Sequence, residues 1–209
     1  IAGFNPEEIT PDISSDYFFT TNFSIWGWAS WKRVIDQWDE HYTFLEDKEN
    51  MRLLKNVIKE RKVRNDFVYM CQRHKEHHKA YYETIFHASI LFNNGLCIVP
   101  TKNMINNLGA IENSTHFAGS IKTMPKGYRR IFTMGRYDVS FPLKHPRYVI
   151  ENVAYKKAVY RIMAWGHPWV KVFRSFEELI LNTRYGNFSI IKDALRKRIN
   201  KWLKRDQHL

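Results

Sequence analysis

Apolar positions recur at helical spacing over much of the chain, and polar or turn-forming stretches separate them. Trp31, Val34, Ile35 and Trp38 predict a helix from Trp31 to about His41, with Ser30 as its N-cap. Met51, Leu53, Leu54, Val57 and Ile58 predict a second over 50–62. A third runs through Phe67, Met70 and Cys71, capped by Asn65. A fourth spans Tyr81 to Phe92 and ends at Asn93-Asn94-Gly95, residue types that tolerate the left-handed conformation of a C-cap. Leu96-Cys97-Ile98-Val99 is a short buried strand stopped by Pro100. A helix feeding a strand is α/β connectivity.

The remaining stretches are punctuated differently. Residues 1–25 are loop-like, with Pro6, Pro11 and scattered Ser, Thr and Asp. Residues 101–120 are polar and rich in Asn and Gly, a length of loop that is usually functional or disordered. Pro125, Gly127, Pro142 and Pro146 predict mostly extended chain over 121–147. A helix follows from about Arg147 to Ala164, broken by Gly166-His167-Pro168. A short helix over Phe173–Leu181 and a last one over Ile190–Arg205, after Gly186, complete the pattern. No internal repeat or low-complexity segment is present.

Composition narrows the function classes. The 209 residues are 44% hydrophobic and 26% charged, which excludes a collagen, a disordered tail and a disulfide-rich miniprotein. A net charge of +12 points to an anionic partner: phosphate, nucleic acid or a membrane surface. Cys71 and Cys97 fit neither a metal-binding spacing nor a disulfide framework, and a reducing compartment suits them. No run of about eighteen apolar residues is present, so no membrane-spanning helix is expected. The opening Ile1-Ala2-Gly3-Phe4-Asn5-Pro6 reads like a strand end entering a loop, and the expectation is a chain cut from a longer one.

Five constellations could carry chemistry. In Trp26-Gly27-Trp28-Ala29-Ser30-Trp31, a glycine lets backbone approach a ligand and the rings can wall a sugar or base; the three Trp serve equally as core anchors. Tyr82-Glu83 opens an apolar helix, where a carboxylate beside rings can act as a general base, or simply sit in water favoured by the helix dipole. His116, after Asn106-Asn107-Leu108-Gly109, can ligate a metal or touch phosphate, or only hydrogen-bond at the surface. His74, His77 and His78 lie among Arg73, Lys75 and Lys79, so a solvated helix face is expected there rather than a metal clip. The last helix lines up Ile191, Leu195, Ile199 and Trp202 against many Lys and Arg. That suits an interfacial helix on anionic lipid, or a helix docked on its own domain.

Taken in order, these segments resemble the C-terminal half of bacterial glycosyltransferases of the nucleotide-diphospho-sugar transferase superfamily, which have the GT-A fold. The stretches that carry the resemblance are Ser24 to Arg33 around Trp-Gly-Trp-Ala-Ser-Trp, then Tyr82-Glu83, and Asn93 to Pro100. They continue with Asn103 to Gly109, Thr115-His116 and Phe141 to Pro146. The resemblance covers residue 1 to about 150. It implies an acceptor-side, catalytic half over 1–150 and a helical extension with a basic amphipathic helix over 151–209.

The same resemblance implies roles. Trp26, Gly27, Trp28, Tyr82, Asn107 and Gly109 would shape the substrate pocket. Glu83, where the family usually has Asp, would be the base that deprotonates the acceptor hydroxyl. His116 would complete a Mn²⁺ or Mg²⁺ site on the donor's diphosphate. The family's Asp-x-Asp motif would lie upstream of Ile1; Asp12 and Asp16 lack its strand, and the fragment alone is expected to be inactive. Implied partners are a nucleotide-sugar donor, a glycan or lipid-linked acceptor, and an anionic membrane surface through 189–205. The implied setting is cytoplasmic, peripheral on the inner leaflet, in surface polysaccharide synthesis, with inversion at the anomeric carbon. The alternatives are a basic nucleic-acid-binding module, although no specific nucleic-acid signature is present, and a non-catalytic membrane-associating domain.

Overall fold

The computed structural model describes residues 1–107 and 121–205, with side chains as far as Arg196. Among the described residues it is rich in helix with one small sheet, an α/β chain in that coarse sense. Strand β1 (Tyr17–Thr20) pairs antiparallel with β2 (Cys97–Pro100), Phe18 opposite Val99 and Phe19 opposite Ile98. The helices are α1 (Lys32–Ile35), α2 (Lys48–Val57), α3 (Arg61–Glu76), α4 (Tyr82–Phe92), α5 (Lys126–Thr133), α6 (Val153–Ile162), α7 (Pro168–Arg184) and α8 (Phe188–Arg205). No helix of the described residues is long and apolar enough to cross a membrane.

The chain forms two compact units. The first holds Ile1–Asn107 and Ile131–Pro168; the second holds, among the described residues, 121–130 and 169–205. In the first unit one core gathers Leu54 and Ile58 from the α2 region, Val63, Phe67 and Cys71 from α3, and Ile85, Ala88 and Leu91 from α4. A second core joins Phe18, Cys97 and Val99 of the sheet to Tyr155 and Val159 of α6. Asp47 caps α2 through the Asn50 N–H at 2.9 Å, and Asn152 caps α6 through the Tyr155 N–H at 2.9 Å.

The loops of this unit are tied by buried polar groups. Asn5 and Asn103 are both fully enclosed. Asn5 donates to Thr10 Oγ1, Pro100 O and Thr101 O, and its N–H reaches Asn103 Oδ1 at 3.0 Å. Asn103 donates in turn to Ile105 O at 2.7 Å and Gly135 O at 2.9 Å. Nearly every amide valence is used, so the desolvation cost of two interior amides is met. Close by the sheet, Lys156 is buried but paired to Glu151 at 2.7 Å, and the other Glu151 oxygen accepts from the Thr21 N–H at 3.0 Å.

Several elements differ from the sequence reading. Residues 17–20 are a strand, not loop: Tyr-Phe-Phe-Thr has high β propensity, and its Phe18 and Thr20 are buried while Tyr17 and Phe19 are half-buried. The first helix stops after four residues, begins at a Trp31 cap instead of Ser30, and does not reach His41. Trp38 instead turns to meet Tyr82 and Phe86 at ring distances of 5.0 and 5.4 Å. The third helix starts at Arg61, so Asn65 lies inside it; Glu60 is its cap, and Arg64 donates to Ile58 O at 2.8 Å. The segment expected to be extended holds α5, because Pro125 stands just before that helix, where no N–H is needed. For the same reason Pro168 opens α7, which is longer than the expected Phe173–Leu181. Helix α6 begins at Val153 rather than Arg147.

Candidate functional site

Tyr82 and Phe86 stand one turn apart on α4 and stack with an interplanar angle of 18°. Trp28 lies 5.3 Å from Phe86 and 6.5 Å from Tyr82, and Trp38 lies 5.4 and 5.0 Å from the same two rings. Phe23 closes the cluster against Trp28 and Phe86. Phe86 is buried at its centre, Trp28 and Trp38 are half-buried, and Tyr82 is 54% exposed. The result is a wall of rings with an open rim. Flat apolar rings of this kind can stack on the C–H face of a sugar as well as on a base.

Glu83 follows Tyr82 in the first turn of α4 and is exposed. The helix dipole favours its negative charge there. Its charge also reaches inward: it favours a proton on His74, but burial outweighs it and holds that imidazole below its ordinary pKa.

Behind the rim is a polar network that sequence reasoning missed. Tyr42, fully buried, shares hydrogen bonds with Thr84 Oγ1 at 2.8 Å and His74 Nδ1 at 3.3 Å, and donates to Lys79 O at 3.2 Å. Thr84 also meets His74 Nδ1 at 2.9 Å. His74 is therefore no member of a solvated face; it is half-buried and lies over the Tyr81 ring at 4.4 Å. His77 and His78 are exposed, as expected. Spacing alone groups His74 with its neighbours; Tyr42, Thr84 and Tyr81, all outside α3, draw it inward.

The two rings that flank Gly27 part company. Trp26 turns to Phe4 at 4.6 Å and Phe132 at 5.4 Å, away from the cluster that Trp28 joins. Gly27 has a φ of +55°, and a Cβ there would stand 2.6 Å from Ile105 Cδ1. Its carbonyl accepts the Gly3 N–H at 2.7 Å. The glycine is thus required by close approach of the chain's own side chain and a left-handed turn. Asn107 is half-buried at the edge of the described residues, whereas Gly109 and His116 lie outside them. Asp12 is exposed at a left-handed φ of 60°, and Asp16 accepts the Lys144 N–H at 2.6 Å just ahead of β1. Among the described residues no three His, Cys, Asp or Glu side chains gather closely enough to hold a metal ion.

The first unit also concentrates positive charge. Arg61, Lys62, Lys157, Arg161 and His167 line an open groove of about 650 Å³, floored by Val63 and Tyr160, with Glu60 the one acidic residue lining it. No family model, no curated protein sequence and no solved structure matches the chain.

Proposed function

We propose that this chain carries the acceptor side of a glycosyl-transfer site, in an enzyme that moves a sugar from a nucleotide-diphospho-sugar to a hydroxyl group. The observation that carries the reading is the ring cluster of Trp28, Trp38 and the half-exposed Tyr82 at the start of α4, with the exposed Glu83 as the next residue of that helix. The GT-A-like arrangement, and an acceptor that is a glycan or lipid-linked sugar, belong to the same proposal.

The acceptor sugar stacks on the rings with one hydroxyl directed at Glu83. As that oxygen attacks the anomeric carbon of the donor, Glu83 takes its proton. The bond from the anomeric carbon to the diphosphate oxygen breaks, and the nucleoside diphosphate leaves with the electron pair. A single displacement of this kind inverts the anomeric carbon. A divalent cation, Mn²⁺ or Mg²⁺, would supply charge stabilisation to the diphosphate; the described residues offer no set of ligands for it.

The test is release of nucleoside diphosphate by the intact protein, screened across nucleotide-diphospho-sugars with and without glycan acceptors. Glu83→Gln keeps shape and hydrogen bonding but cannot take the proton. Its turnover is expected to fall about 10²–10⁴-fold, the usual worth of a positioned base, with folding stability unchanged. Near-normal turnover would remove Glu83 from the reaction. Tyr82→Ala is expected to raise KM more than it lowers kcat, because stacking holds the acceptor before and during transfer alike.

A further inference from the structure

Helix α7 turns its apolar side outward. Trp169, Phe173, Phe176 and Ile180, spaced by three and four residues, are 73%, 71%, 61% and 66% exposed. The polar side faces its own unit instead. Arg174 lies over the Tyr128 ring at 6.0 Å, Glu177 accepts the Lys126 N–H at 2.8 Å, and Asn182 is buried with its amide donating to Glu178 O at 2.8 Å. The contacts to Tyr128 and Lys126 hold Arg174 and Glu177 toward their own unit, and the aromatic stripe is left exposed. Soluble chains rarely leave so continuous a stripe uncovered.

The stripe runs into an open groove of about 400 Å³ between α7 and α8, lined by Val172, Leu179, Ile190 and Leu195 among others. From Pro168 to Arg205 the sequence has ten Lys and Arg against three Asp and Glu. A second copy of this chain would bring like charge against like charge around the same rings. A negatively charged surface with an apolar interior satisfies both features at once.

We infer that the α7–α8 hairpin is a lipid-docking device, which seats Trp169, Phe173, Phe176 and Ile180 among the acyl chains of an anionic bilayer while its cations meet the phosphates. The contact shifts from residues 189–205 alone, where the sequence placed it, to α7 as the inserting face. A helix of this type lies in the plane of the interface, about 5–10 Å deep. The inference does not depend on the sugar-transfer reading.

Flotation of the intact protein with phosphatidylcholine vesicles, with and without phosphatidylglycerol, tests it. Binding is expected only where phosphatidylglycerol is present, and is expected to weaken as salt rises. Phe173→Ser combined with Phe176→Ser should lower the partition about tenfold or more by removing buried apolar area. Both rings stand in solvent, so the variant's circular dichroism should match that of the parent. Lys192→Ser and Arg196→Ser should each cost about fivefold, the worth of one cation near an anionic surface. Equal partition of the Phe variant and the parent overturns the inference, as does absence of binding to either vesicle. Concentration-dependent self-association that the Phe pair abolishes also overturns it and assigns the stripe to a second copy.

Discussion

Helices α4 and α7 are both rich in apolar side chains, yet the chain treats them in opposite ways. Helix α4 is covered on nearly every side: Ile85, Ala88 and Leu91 enter the core, Phe86 anchors the ring wall, and His87 lies between Phe67 and Trp165. Only Tyr82, Glu83 and the C-terminal Asn93 reach water freely. Helix α7 inverts this, with its polar residues facing its own unit and its largest rings outside. Periodicity states which residues share a face. Whether that face is covered depends on what the rest of the chain brings to it, and for α7 the described residues bring nothing.

The widest separation between the two helices is expected from truncating one ring on each. Phe86→Ala should cost about 3–5 kcal/mol, because it empties the centre of a packed cluster. Phe173→Ala should stay within about 0.5 kcal/mol, since its ring is already in solvent. Urea unfolding of the two variants reads both values, and similar losses would erase the contrast.

Acid should act through α4. Burial pushes the His87 imidazole down to about 4, and a hydrogen bond to the Thr21 backbone only partly opposes it. The unfolded chain binds this proton below about pH 6.5 while the folded chain does not, so stability is complete above that pH and falls as pH drops toward 4. The loss should reach up to about 3 kcal/mol at the acid end. His87→Phe should flatten this limb in urea midpoints compared at pH 7 and pH 4.5. A limb unchanged by the substitution would place the acid sensitivity elsewhere, with His74 the next group to test.

A smaller effect concerns the network behind the rim. Tyr42→Phe leaves the Thr84 hydroxyl, Lys79 carbonyl and Tyr81 N–H without their shared partner and should cost about 1–2 kcal/mol. Thermal unfolding measures it. A neutral outcome would mean that water replaces the phenol, and that α4 is sealed less tightly than its packing implies.

Much of this arrangement was legible in the residue pattern, and the exceptions have physical causes. The end of α4 at Asn93 and the entry into β2 could be read because Asn94 takes a left-handed φ of 50° and Pro100 ends the strand. Strand β1 was hidden because four residues are too few for alternation to outweigh the Ser and Asp before them. Helix α5 was hidden because Pro125 reads as a breaker until its place at a helix start is known. At the candidate site, Trp28 and Tyr82 belong to two separate motifs of the sequence, and their rings stand 6.5 Å apart. The separation of Trp26 was not readable, since two neighbours of one glycine carry the same local signal. Trp38 was read as a helical core position and stands in the wall instead. Lys156 gave no sign that it would be buried, since its partner Glu151 is a tertiary matter.

The tied loops around Asn5 and Asn103 have a thermal corollary. Apolar cohesion weakens on cooling, whereas contacts between amides and carbonyls do not share that dependence. The Gly27 turn hangs from Gly3, which also accepts the Met104 N–H at 3.0 Å from the segment that Asn103 secures. Chilling should therefore loosen the greasy three-helix side first and leave the fastening under Trp28 intact, so that the ring wall has one cold-sensitive flank and one that keeps its shape.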